Sequence, residues 1–395
     1  MWKRWRLLNA TDFQSLMCPC FTFCRIFGIF PYKINISTFK CSRPCYILST
    51  IITCFSCVYV IVHINNILLS GGISYGDVTM NLNAVTYFAL SGLMIIIMYI
   101  LIIPRMQVLQ TILRISSKLI PSKSYQQLSR LIHVKDILGT ILTIIEMFLF
   151  FSKTNMFKFT FSNILLILFA IYLEMVIFLT NMLYVNCVCV LKTCFKSIND
   201  KLTYLQRIVV DDIKSISVYK LFCQGNLFLL LEIRTLKKQH LIVSETVHML
   251  NMIFGLQLII IISQIFINVT FELYTYVVRW QHGLLITLDW QFLDVFSTSM
   301  IHYLSKIILL AWACESNKNQ AKEIGVTLHE ILNSTTDKEI KNELHLFSLQ
   351  ILHCKNIFMT KGVTVDATLL TAMVGSTTTY ILILIQFLIL SHSCD

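Results

Sequence analysis

The sequence predicts an all-α membrane protein with seven transmembrane helices, its N-terminus cytoplasmic and its C-terminus extracellular. Three observations predict it. Charged residues make up 13% and apolar residues 56% of the 395-residue chain, and mean hydropathy is +0.72. Soluble domains carry about 25% charged residues. Seven apolar runs are each long enough to cross a hydrocarbon core of ~30 Å at ~1.5 Å per residue. Lys and Arg fall almost wholly in alternate connections between those runs, as membrane topology requires.

Taken in order, residues 1–45 form a basic cytoplasmic segment, and the first span covers about Tyr46 to Leu69. Gly71 and Gly72 break it. A second span, about Asn81 to Ile103, is closed by Pro104 and Arg105. The third covers about Val134 to Phe151 and contains Glu146; the fourth, about Phe161 to Leu191, contains Glu174. A polar region, 192–250, has helical periodicity and no proline. The fifth span runs from about Asn251 to Val278, and the sixth from about Leu288 to Ala313, carrying Lys306. Together 46–313 make a six-span bundle. Residues 314–363 form a second polar region of cytoplasmic anchor helices. The seventh span, 364–390, leads to a short tail, 391–395, expected outside the cell.

Charge fixes the expected orientation. The N-terminal segment and the second, fourth and sixth connections hold 28 of the 32 Lys and Arg residues. The first, third and fifth connections and the tail hold 3, and Lys306 completes the total. A bias of that size places the N-terminus inside. G-protein-coupled receptors have the opposite orientation, so it counts against that class. The formal net charge of +11 has no zinc-finger spacing or basic–aromatic motif beside it, so nucleic acid is not an expected partner. Most of the fourteen cysteines fall on the expected cytoplasmic side, where thiols stay reduced and pack as small apolar groups.

Asp337 to Lys361 reads as an amphipathic helix, with Ile340, Leu344, Phe347, Ile351 and Phe358 on one face. Its expected partners are the cytoplasmic extensions of the fourth and fifth spans, another subunit, or both. In the seventh span, Thr371, Gly375, Thr379, Leu382 and Gln386 form a stripe of mostly small and polar groups on an otherwise aliphatic cylinder. Polar groups are costly against lipid, so the stripe faces protein or water. Close helix packing and a pore lining both satisfy that.

The same span carries a motif. Thr379-Tyr380, five aliphatic residues and Gln386-Phe387 resemble the C-terminal signature of insect gustatory receptors, Thr-Tyr-(apolar)5-Gln-Phe. The resemblance implies a tastant-gated, non-selective cation channel of the plasma membrane in chemosensory neurons. It implies four subunits, as a homotetramer or with sister receptors, whose last helices line the pore. Gln386 and Phe387 are then gate residues, with Leu382, Thr379 and Tyr380 beside them. The run Leu346–His353 together with Asp366–Leu370 is similar to the branch holding fructose-type and broadly expressed receptors. Val363 and Thr364 depart from that branch, which places bulky aromatics after the glycine. Odorant-receptor channels share the architecture, and the intact signature favours the gustatory branch. A transporter is the other rival, but no inverted repeat is visible.

Polar residues in the expected outer half of the bundle are the candidate ligand site. Gln264, Asn268 and Glu272 share one face of the fifth span; Trp290, Asp294 and Ser297 share one of the sixth. Glu146 and Tyr87 lie at a similar depth in the third and second. Such groups face a bundle interior or a wet cavity. Carboxylates and amides beside aromatic rings favour a sugar or other polar ligand, with a bitter alkaloid cation as the second expectation. Hydrogen bonds between spans account for any one of them as well. Enzyme motifs for metal, phosphate or acyl chemistry are missing, so no catalytic residue, metal or cofactor is expected.

Overall fold

In lipid every backbone N–H and C=O must find its partner within the chain, so long apolar segments fold as helices. The computed structural model follows that rule; it describes residues 8–35, 38–69, 78–153, 161–214, 219–281, 290–360 and 362–392. Its helices are α1 (Phe13–Ile26), α2 (Arg43–Leu68), α3 (Val78–Ile100), α4 (Ile102–Leu119) and α5 (Ser122–Lys153). Then follow α6 (Phe161–Lys214), α7 (Tyr219–Gln281), α8 (Trp290–Ser334), α9 (Lys338–His353) and α10 (Ala367–His392). Two short antiparallel hairpins interrupt them: β1 (Tyr32–Asn35) with β2 (Thr38–Cys41), and β3 (Met359–Thr360) with β4 (Val363–Thr364).

Among the described residues five helices are long and apolar enough to cross a membrane: α2, α3, and the apolar stretches of α6, α7 and α8. The expected third span falls on α5, where Lys135, Asp136 and Glu146 dilute the apolar run. Two of those charges are neutralised internally: Lys135 pairs with Asp136, whose other oxygen accepts from Asn186 Nδ2 at 2.9 Å. In α10 the described apolar stretch is Ala367–Ile383. At 54, 63 and 45 residues, α6, α7 and α8 far exceed the ~20 needed to span a bilayer. The polar region 192–250 is therefore the continuation of α6 and α7.

The N-terminal segment is folded against the bundle. The Asp12 side chain caps α1 by accepting from the Ser15 N–H at 2.8 Å. Phe21 stacks on Phe30 at 4.3 Å between centroids, and Phe39 of β2 meets both edge-on. Arg105 of α4, fully buried, donates to the Ile29 carbonyl (3.2 Å) and the Met98 carbonyl (2.9 Å), while the Tyr32 hydroxyl donates to the Ile102 carbonyl. A buried guanidinium is tolerated because backbone dipoles surround it.

Helices approach closely where a glycine removes a side chain. A Cβ at Gly92 of α3 would lie 3.1 Å from Val60 of α2, and one at Gly139 of α5 would lie 2.9 Å from Phe178 of α6. At Gly375 of α10 a Cβ would meet nothing within 4 Å.

The amphipathic helix ends sooner than its periodicity suggests. α9 stops at His353, and Phe358 reaches the core from the extended segment that follows, because Cys354 leaves helical geometry (φ −82°, ψ 82°). Gly362, at φ +96°, lies between β3 and β4 in a conformation that L side chains rarely adopt. α9 packs along α7 and α8. Glu343 pairs with Lys237 and accepts from Arg234 Nε at 3.2 Å. Gln350 Nε2 donates to the Lys237 carbonyl at 3.0 Å and lies 3.1 Å from Nδ1 of buried His240, which sits between Phe195 and Phe347.

Burial raises the Glu343 pKa, but the hydrogen bonds and charges of Lys237 and Arg234 outweigh it and hold the carboxyl below its ordinary value. A depressed carboxylate stabilises the fold above the unfolded value of roughly 4.3 and loses that contribution as pH falls through the lower folded value. Glu343→Gln is therefore expected to cost on the order of 1 kcal/mol at neutral pH. It is also expected to flatten the acid limb of the thermal-midpoint-versus-pH curve, measured by light scattering on detergent-solubilised protein.

Candidate functional site

A largely apolar cavity of about 240 Å³, with a few polar and acidic groups in its wall, lies among α3, α5, α6, α7 and α8. α3 contributes Asn83 and Tyr87, α5 Glu146 and Phe150, and α6 Glu174. α7 contributes Asn268, Phe271 and Glu272; α8 contributes Val295 and Tyr303. Four of the eight residues expected to form a ligand site, Tyr87, Glu146, Asn268 and Glu272, thus meet in one space.

Gln264, Asp294 and Ser297 do not line it. Gln264 is buried one turn further along α7, where its Nε2 donates to Ser91 Oγ at 3.3 Å and ties α7 to α3. Asp294 and Ser297 are exposed. α8 is rotated so that Val295, Ser299, His302 and Lys306 are its buried face. Trp290 opens α8, and its side chain lies outside the described residues.

Glu174 of α6 ties its neighbours together. It lines the cavity and gathers three partners: Lys306 in an ion pair, His302 Nε2 at 3.3 Å, and the Tyr87 hydroxyl, which donates at 3.3 Å. Removing two charges from water is offset only by close pairing and full hydrogen bonding, and this cluster supplies both. Its sequence signal was the spacing of Ser299, His302 and Lys306 on α8, a second polar face that competed with Trp290, Asp294 and Ser297. Tyr303, beside it, went unread for the same reason.

Glu146 differs from Glu174. It is about 9% exposed and lines the cavity, yet among the described residues it accepts no hydrogen bond and has no ion-pair partner. Asn268, 7% exposed on the opposite wall, likewise makes no hydrogen bond among them. A carboxylate and an amide therefore open on the same space, against Phe150 and Phe271.

On α10 the stripe falls on the face turned away from the rest of the chain. Thr371, Gly375, Thr379, Leu382 and Gln386 are all exposed, whereas Leu369 and Thr377 on the other side are buried. With open space at Gly375, close packing within the chain does not explain the stripe. Tyr380 is half exposed and meets Phe266 of α7 edge-on at 5.8 Å. Phe387 lies in α10, and its side chain is outside the described residues.

A bundle of long apolar helices around a buried, partly charged cavity is the build of a multi-span membrane receptor. The chain belongs to the 7tm chemosensory receptor family, whose model matches residues 17–391. It is similar to putative gustatory receptor 28b of Drosophila melanogaster, 33% identical over 155 residues, which cover 38% of this chain and 32% of that protein. Putative gustatory receptor 28a of the same fly is 32% identical over 106 residues, covering 27% of this chain and 24% of that protein. The matched regions span about a third or less of these relatives' length. In fold the chain is similar to the insect olfactory receptor OR5 from Machilis hrabei, with a TM-score of 0.69 at 11% identity, covering 95% of this chain and 98% of the other. That receptor's structure in complex with eugenol matches with the same TM-score. The gustatory signature in α10 and the gustatory relatives agree.

Breaking the buried pair from one side is expected to be severe. Lys306→Met, which strands Glu174, should lower stability by about 3–5 kcal/mol. The double variant Glu174→Gln/Lys306→Met should recover most of that loss in thermal unfolding of the purified protein.

Proposed function

We propose that this chain is a gustatory receptor of the plasma membrane that acts as a tastant-gated, non-selective cation channel. Four copies, or this chain with sister receptors, surround a pore lined by α10. α2, α3, α5, α6, α7, α8 and α10 are its seven spans, with the N-terminus inside, as the Lys and Arg distribution supports.

One observation carries the reading. The stripe of Thr371, Gly375, Thr379, Leu382 and Gln386 on α10 points away from its own subunit, opposite buried Leu369 and Thr377. Lipid is a poor neighbour for Thr371, Thr379 and Gln386. A ring of identical helices around water satisfies them all, with Leu382, Gln386 and Phe387 narrowing the path. An apolar constriction of that kind blocks ions by dewetting, so a small displacement opens it.

The cavity is the tastant site in this reading. Glu174 is already neutralised by Lys306, whereas Glu146 is uncompensated beside Glu272 and Asn268. A protonated amine at Glu146 favours the ionised carboxyl and gains a hydrogen bond between charged groups, roughly twice as strong as the neutral one a sugar hydroxyl makes. The surrounding aromatic rings take the apolar body. That the fold accepts a small aromatic ligand is supported by the eugenol complex of its olfactory structural neighbour. α7 links the two parts: Asn268, Phe271 and Glu272 touch the cavity, and Phe266 touches Tyr380 of α10. A ligand that binds one arrangement of α7 more tightly shifts α10 with it.

Whole-cell recording from cells expressing the chain tests both parts. An amine tastant such as 2-phenylethylamine is expected to evoke a cation current, and its alcohol counterpart a weaker one. Glu146→Gln should raise the amine concentration needed by about tenfold or more, the factor that roughly 1.4 kcal/mol represents, and leave unitary conductance alone. Gln386→Ala should change conductance, permeability or leak and leave ligand sensitivity alone. A Gln386→Ala channel identical to the parent in all three would remove α10 from the pore.

A further inference from the structure

A second cavity, of about 720 Å³, opens where α4, α5, α6 and α8 converge. Its wall carries four lysines: Lys118 at the end of α4, and Lys192, Lys196 and Lys201 along α6. Lys192 and Lys196, four apart, share one side of α6, and Lys201 lies two and a half turns beyond Lys192. Asp200 is the sole carboxylate among the lining residues, and none of the four lysines forms an ion pair with it or with any other described residue. Four ammonium groups around one space repel one another unless an anion lies between them. Elsewhere in the cytoplasmic layer, Lys237 and Lys318 are each held by carboxylates.

What adjoins the cavity identifies the anion. Two ridges of exposed apolar side chains lead away from it. Leu131, Val134, Leu138 and Ile141 form one along α5; Ile301, Leu304, Ile308 and Trp312 form the other along α8. Both have the i, i+3/i+4 spacing of a single helix face, and both are between 41% and 57% exposed, the state of surfaces that meet acyl chains. They end at the lysines: Leu131 and Trp312 line the cavity, and the Lys192 ammonium lies 5.5 Å from the Trp312 ring centroid. A tryptophan at the end of an apolar ridge with a lysine over its face marks the water–lipid boundary. The Lys and Arg distribution puts that boundary on the cytoplasmic side, the leaflet that carries anionic lipids.

The geometry points to a site for a phosphorylated lipid headgroup, with phosphates among Lys118, Lys192, Lys196 and Lys201 and acyl chains along the α5 and α8 ridges. A basic pocket between membrane helices on the cytoplasmic side has the chemistry that recognises inositol phosphates. The site is separate from the tastant cavity and from the α10 stripe. It does not require the chain to conduct ions, only that its basic side face the cytoplasm.

Full-length protein in phosphatidylcholine nanodiscs, doped with phosphatidylinositol bisphosphate, tests it. Native mass spectrometry reads the lipid retained, and thermal unfolding reads its effect. The bisphosphate is expected to be retained in preference to phosphatidylcholine and to raise the unfolding midpoint. Affinity should fall about fivefold for each lysine replaced in Lys118→Gln/Lys192→Gln/Lys196→Gln/Lys201→Gln. The pair Lys196→Gln/Lys201→Gln serves if the quadruple variant does not fold. Lys322→Gln/Lys341→Gln, on exposed lysines elsewhere, should retain the lipid as the parent does. Equal retention of phosphatidylcholine, or an equal loss in this control, would overturn the site in favour of diffuse surface charge. Free inositol trisphosphate binding as tightly as the lipid would overturn the lipid assignment and leave a soluble phosphate as the ligand.

Discussion

Glu174 and Lys306 form an ion pair inside an apolar bundle, and much of the structure depends on it. An unpaired charge at that position is costly enough that α6 and α8 must present these two residues to each other. The pair fixes the rotation of α8, which brings His302 and Tyr303 inward and leaves Asp294 and Ser297 outside. It also divides the carboxylates of the cavity into two kinds. Glu174 is satisfied by the protein, with His302 and Tyr87 filling the rest of its hydrogen-bonding capacity. Glu146 has no such partner among the described residues, and it owes its place to the space in front of it.

How much of this was legible follows from the kind of information each feature carries. Hydropathy finds spans because the cost of placing polar groups in lipid is summed along the chain; α2, α3 and α10 lie close to their expected limits, whereas the third to sixth expected spans lie inside longer helices. Rotation is a different matter. α8 offers two polar faces, and the sequence gives no measure of which has a carboxylate waiting opposite. Glu174 sits 132 residues before its lysine, a separation that no local pattern reports. Gln264 was correctly read as buried, yet its partner is Ser91 rather than a cavity. On α10 the face was legible because small and polar residues recur at helical spacing against an aliphatic background. The same periodicity carried α9 too far, since it cannot see the point where Cys354 leaves the helix.

The N-terminal segment was the least legible part. Its basic residues suggested only a solvated cytoplasmic stretch. The structure instead buries Phe13, Phe21 and Phe30 and threads Arg105 between backbone carbonyls. Aromatic clustering of this kind depends on a hairpin whose strands are four residues each, too short for alternation to register. The packing of that cluster supplies what the short strands lack in hydrogen bonds.

α6 and α8 run side by side in constant register. Glu174 meets Lys306, Tyr184 Oη lies 3.6 Å from Cys314 Sγ, and Asn317 Nδ2 donates to the Val188 carbonyl at 3.0 Å, at offsets of 132, 130 and 129 residues. So even an offset means two parallel helices bolted at three levels, from the cavity inward. The C-terminal part of α8 then meets the start of α10. Lys318 donates to Asp366 at 3.2 Å, and Asp366 accepts from the Thr368 N–H at the first turn of α10. The hydrogen bonds from Thr368, with those from Lys318, hold the Asp366 carboxyl below its ordinary value, so it is the ionised form that joins the two helices. Val295, Tyr303 and Lys306 at the cavity and Lys318 at the base of α10 thus lie on one rigid rod. α7 reaches the middle of α10 through Phe266 and Tyr380, while α8 reaches its foot. Two helices that wall the same cavity therefore grip α10 at two heights. In the proposed channel, displacing one against the other would turn or tilt α10, and a turn exchanges one face of a helix for the next along a pore.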